Sequence, residues 1–191
     1  AAILGRSAGN DPYGTSGDEI DGIAIGQMAA GSTSGFNGIA IGQNAAMQSV
    51  NNKGLVIGDL SGYQMVNTSY ASIIVGYLAG YQTTDHQGIS IGRMSGGNSL
   101  SFGETGIAVG PYSGFQSESF GGVAIGESAG DHAKNSNSSV AYIGQWAGAS
   151  SDGNLSVACI GKDAGRAITS SYNVVGIGDS AVSQSTDLQN V

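Results

Sequence analysis

An all-β solenoid, a β-roll or β-helix of about eleven coils, is the fold this sequence predicts, and three observations predict it. A short motif, [IV]-x-[IV]-G in its commonest form, returns along the chain with its glycine at Gly5, Gly26, Gly42, Gly58, Gly76, Gly92, Gly110, Gly126, Gly144, Gly161 and Gly178, Leu or Ala replacing the first residue in a few coils. After a first interval of 21 residues the spacing holds at 16–18, the signature of stacked repeats rather than of separate elements. The residue before each anchor glycine is aliphatic every time, from Leu4 to Ile177, and the residue three after it is always Ala or Ser.

Each element of the coil has a physical reason. Aliphatic residues two apart put both side chains on one face of a short strand. The anchor glycine then takes a backbone conformation that β-branched residues resist, so the chain turns. Ala or Ser, followed in eight of the eleven coils by glycine, lets a neighbouring segment approach closely. The middle strand residue reads Ile3, Ala24, Ala40, Val56, Ile74, Ser90, Ala108, Ala124, Tyr142, Cys159 and Gly176, with no charge among them. A strand with one wet face carries Thr, Lys, Gln or Glu at such positions. Both faces therefore read as buried. A coil of seventeen residues encloses little core alone, so association with copies of itself is expected, as a homotrimer. Its interface is expected on the small-residue face of Ala24, Ala40, Ser90, Ala108, Ala124 and Cys159.

The connections between the small pair and the next strand run six to ten polar residues and absorb the variation in length. The solenoid is read over residues 1–182, with an acidic insertion at 10–21. Residues 183–191, SQSTDLQNV, are read as a tail or a connection onward because Val182 breaks the small column there. The N-terminus begins inside a repeat, which suggests a fragment or processed product.

Composition narrows the function. The chain has 191 residues, 34 of them glycine, and only 10% are charged. Its net charge of −8 argues against a nucleic-acid surface, and no apolar run of about 18 residues offers a membrane span. One cysteine allows no intrachain disulfide, so packing or assembly must supply stability.

The columns resemble a known pattern. VGYLAGYQTTDHQGISIG at 75–92, IGDLSGYQ at 57–64 and VGPYSGFQ at 109–116 resemble the repeats of bacteriophage tail fibres and tailspikes, and look like the head repeats of trimeric autotransporter adhesins. The resemblance spans about residues 2–182. It implies a trimeric rod on the virion tail or cell surface that touches a host-surface glycan or protein. The alternative is a bacterial trimeric adhesin or extracellular filament subunit. A polysaccharide-degrading tailspike enzyme ranks below both.

Catalytic chemistry finds little footing. IGQNAA fits a hexapeptide acyltransferase repeat once, but counting six and twelve on from Ile41 reaches Met47 and then Lys53, which ends that register. The two histidines, His86 and His132, sit in loop-like segments. Glycosidases need two carboxyl groups flanking the sugar, and the acids here scatter over a variable turn column. The chain is read as a non-enzyme without cofactor. Asp11, Asp18, Glu19 and Asp21 form the one oxygen-rich loop suited to calcium, without a defined ligand spacing. Tyr63, Tyr81, Phe115 and Trp146 are read as an aromatic platform for sugar rings, weighed against a plain packing ladder.

Overall fold

The structure is a computed structural model. It describes residues 2–6, 22–33, 35–50, 53–66, 72–84, 88–99, 106–118, 121–134, 139–153 and 155–191. The chain winds as a β-solenoid, and its strands form one parallel sheet in sequence order. These are β1 (Ala2–Leu4), β2 (Ile23–Ile25), β3 (Ile39–Ile41), β4 (Leu55–Ile57), β5 (Ile73–Val75), β6 (Ile89–Ile91), β7 (Ile107–Val109), β8 (Val123–Ile125), β9 (Ala141–Ile143), β10 (Leu155–Ile160) and β11 (Tyr172–Ile177). Each coil is numbered below by its strand. Register is in phase throughout: Ile39, Ala40 and Ile41 pair with Leu55, Val56 and Ile57, one repeat further on. At about 4.8 Å per strand the stack is a rod about 50 Å long.

The anchor glycine is required twice over. Gly42 has φ of +136°, a region closed to other residues, and a Cβ there would land on the carbonyl of Gly58 in the next coil. Beyond it the turn does something the sequence does not announce. Alternate residues such as Asn44, Ala46 and Gln48 hold φ of 55°, 53° and 55° although none is glycine. Each such residue costs roughly 1–2 kcal/mol. Hydrogen bonds between coils offset that strain. The Asn44 N–H donates to Gln27 O at 2.9 Å, the Ala46 N–H to Ser61 O at 2.8 Å and the Gln48 N–H to Gly31 O at 2.9 Å. Stacking, rather than local propensity, holds the turn in shape.

The strand faces the opposite way from the sequence expectation. Its middle residue points into the coil and its aliphatic flanks point out: Ala24, Ala40, Val56, Ile74, Ser90, Ala108, Ala124, Tyr142 and Cys159 are fully buried in the single chain. The expected interface residues Ala24, Ala40, Ser90, Ala108, Ala124 and Cys159 are thus core residues, small because the coil is thin. In coils 2 and 3 the residue six positions later, Ala30 or Ala46, adds a methyl group to the small strand residue, whereas Ser90, Ala108, Ala124 and Cys159 are followed there by glycine. Where the strand offers Tyr142, the turn supplies Gly148, whose Cβ would strike the Tyr142 ring. Ala40 is matched by Ala46, both fully buried, and Gly176 by Val182, whose Cγ2 stands close to where a Gly176 Cβ would project. The glycine exceptions in the small column are volume corrections.

Two apolar clusters fill the rod, one from Ala24 to Ala79 and one from Ala108 to Val174. Between them the interior turns to hydroxyls that bond the neighbouring coil: Ser95 Oγ donates to Ala108 O at 2.9 Å and Ser113 Oγ to Ala124 O at 2.8 Å.

The C-terminal segment also departs from expectation. Thr186 and Gln189 bridge to Thr169 and Tyr172, the Val175 N–H donates to Val191 O at 2.8 Å, and Leu188 packs on the core. Residues 186–191 lie in register on coil 11 as the start of a further coil. The consensus missed them because pairing needs backbone register rather than an aliphatic motif.

Candidate interaction surfaces

With the small residues turned inward, the outward face of the sheet is aliphatic. Two ladders stand on it, one over coils 2–8 and one over the whole rod. One is Ile23, Ile39, Leu55, Ile73, Ile89, Ile107 and Val123, and the other runs from Ile25 and Ile41 to Ile160 and Ile177. No charged side chain interrupts either, and members such as Ile73, Ile125 and Ile160 are about 40% exposed. Scattered exposed apolar residues are ordinary, but a continuous stripe of this length is a candidate interaction surface.

Beside the first ladder lies a groove of about 540 Å³ on coils 2–5. Its floor is Gly22, Gly38, Gly54 and Ser72, where a Cβ on the glycines would run into the backbone of the next coil. Ile23, Ile39, Leu55 and Ile73 form one wall; Asn37 and the exposed Lys53 complete the lining.

The turn face carries the predicted aromatic residues, but not as one platform. Tyr63 and Tyr81 stack on each other with centroids 5.7 Å apart and planes 8° from parallel, so they occupy each other's inner faces. Phe115 meets Tyr112 and His132 edge-on at 5.8 and 6.4 Å. Trp146 lies under the Arg166 guanidinium at 5.2 Å, and Tyr112 under Arg93 at 4.8 Å. Next to the tyrosines runs an amide ladder, Gln82 Nε2 donating to Gln64 Oε1 at 2.8 Å and Gln64 Nε2 to Gln48 Oε1 at 3.0 Å. Sequence reading missed this ladder, although Gln six after the anchor in three successive coils is its visible trace.

Titratable chemistry is sparse. His132 Nδ1 sits 2.7 Å from Asp131 Oδ1, and burial pushes the Asp131 carboxyl above its ordinary pKa against the pull of that histidine. Burial likewise raises the Cys159 thiol to about 11, which keeps it protonated and unreactive. Among the described residues no group of three or more His, Cys, Asp or Glu side chains gathers as a metal site, and no helix is long and apolar enough to cross a membrane. The calcium candidates Asp11, Asp18, Glu19 and Asp21, and also His86, lie outside the described residues.

Against known proteins the chain finds no match, whether among family models, curated sequences or solved structures.

Proposed function

We propose that the chain is a structural rod of a virion tail fibre or spike, built as a homotrimer and carried outside the cell, where it spans distance and contributes to adhesion at a host surface. The observation that supports this most is the outward aliphatic face, continuous along the ladder from Ile25 to Ile177. A single copy leaves two ladders of Ile, Val and Leu partly in water, and covering the roughly 40% still exposed at members such as Ile73 and Ile125 would contribute roughly 1 kcal/mol per residue. Copies related by an axis along the rod cover the ladders coil by coil, since the register is in phase throughout. Stiffness also follows, because inter-coil hydrogen bonds run along both strand and turn.

The test is the mass of the native particle by light scattering. The reading expects three times the chain mass of 18.9 kDa. Ile41→Glu, on the exposed ladder, should release folded single chains, because assembly would trap an unpaired charge. Ala40→Glu should instead disrupt the coil itself. A native protein that stays monomeric with its ladders wet refutes the assembly.

A further inference from the structure

We propose that the glycine-floored groove on coils 2–5 is the seat for a ridge on the turn face of a second copy of this chain, so that the copies meet through unlike surfaces and close into a ring. This rests on the rod reading above and names its contact. The ridge is made of Met47, Leu60, Tyr63, Leu78 and Tyr81, all part-exposed on coils 3–5 and stiffened by the tyrosine stack.

Three observations favour a second copy as the occupant. The first is level. Rotation about an axis parallel to the rod keeps every coil at its own height, so a groove on coils 2–5 faces coils 2–5 of the neighbour, the level at which Met47, Leu60, Tyr63, Leu78 and Tyr81 stand. The second is charge. Lys53, on the groove wall, is the only cation between residues 22 and 92, and it makes no ion pair among the described residues. Asp59, exposed beside the ridge on the same coil, offers it an anion from across the contact. The third is area. The ladder from Ile25 to Ile177 is about 50 Å long and the other about 35 Å, so an aliphatic strip about 10 Å wide supplies at most about 500 Å² per copy, short of the roughly 800 Å² per partner of a standard interface. The groove floor and the ridge lie outside that strip and add to it. A ring joins each copy to its neighbours through unlike patches, and groove and ridge are such a pair.

The test uses two variants of the full chain, one dead in the groove (Ile39→Glu with Leu55→Glu) and one dead in the ridge (Tyr63→Glu with Tyr81→Glu), both checked for retained β structure by circular dichroism. Each alone should run at the single-chain mass. Mixed in equal amounts they should form a pair of twice that mass, because one groove and one ridge stay intact. Lys53→Glu and Asp59→Lys should each weaken the native particle, and the two together in one chain should restore it. Should the glutamates unfold either variant, Leu55→Cys with Tyr63→Cys in one chain should give oxidative cross-links up to three chains, while neither cysteine alone does. A ridge variant that assembles like the native chain, or the absence of those cross-links, overturns the groove assignment. A ridge variant that assembles normally but loses polysaccharide binding overturns it in favour of a glycan site. A native chain that never assembles fails the rod reading instead, so the two failures are distinguishable.

Discussion

Coils 2–8 and coils 9–11 share one period but close it differently. Four residues before the anchor, coils 2–8 carry Gly22, Gly38, Gly54, Ser72, Gly88, Gly106 and Gly122, whereas coils 9–11 carry Val140, Val157 and Val174. In the first set the corner is so tight that a Cβ on Gly88 would overlap the Gly106 carbonyl. In the second set the valines are buried in the core, and β10 and β11 lengthen to six residues where the earlier strands have three. The lesson is that a coil can be narrowed by removing a side chain or widened by burying one. The outward groove lies on coils of the narrow form. The wide form makes room inside for Tyr142, whose hydroxyl lies 3.0 Å from Ser151 Oγ.

Exchanging the corner residues should therefore not be symmetric. Gly88→Val should be the most damaging change, more than about 4 kcal/mol, because the backbone of the next coil must move. Val157→Ala removes buried methyls without moving backbone and should cost about 1–3 kcal/mol, both read from urea unfolding midpoints. Next in size is the pairing inside coil 9. Gly148→Ala should cost about 2–5 kcal/mol, from φ of +63° plus collision with Tyr142. In a Tyr142→Ser background only the backbone strain should remain, so a double-mutant cycle should show strong coupling.

A smaller contrast tests the hydroxyls. Ser61 Oγ is buried in the first apolar cluster without a partner among the described residues, while Ser113 Oγ is bonded to Ala124 O. Ser61→Ala should therefore raise stability by about 1 kcal/mol and Ser113→Ala lower it by a similar amount. The smallest effect concerns Asp131 in coil 8. Its folded pKa is raised by burial, so the folded chain holds that proton more tightly than the unfolded chain. Its contribution is greatest at low pH and is lost as pH rises through the raised value. Asp131→Asn should flatten the part of the profile of thermal midpoint against pH that lies above the ordinary carboxylate pKa.

Much of this was written in the residues. The column of aliphatic residues before each glycine, at intervals of 16–18, determined the number of coils, their parallel in-phase stacking and the position of every turn, because a backbone that stacks on itself needs one conformation repeated. Residues themselves could not say which side of Ile39–Ala40–Ile41 faces inward. Both sides of that strand are apolar, so alternation carried no sign, and only the wound coil shows an interior too thin for two isoleucines, filled instead by Ala40 with Ala45 and Ala46 of the following turn. The same limit hid the left-handed turn residues Asn44, Ala46 and Gln48, whose conformation is held by neighbouring coils, and the pairing of 186–191, where backbone register replaced the motif. Period is a local property and was legible; orientation depends on the volume that the closed coil leaves, which exists only once the chain has wound.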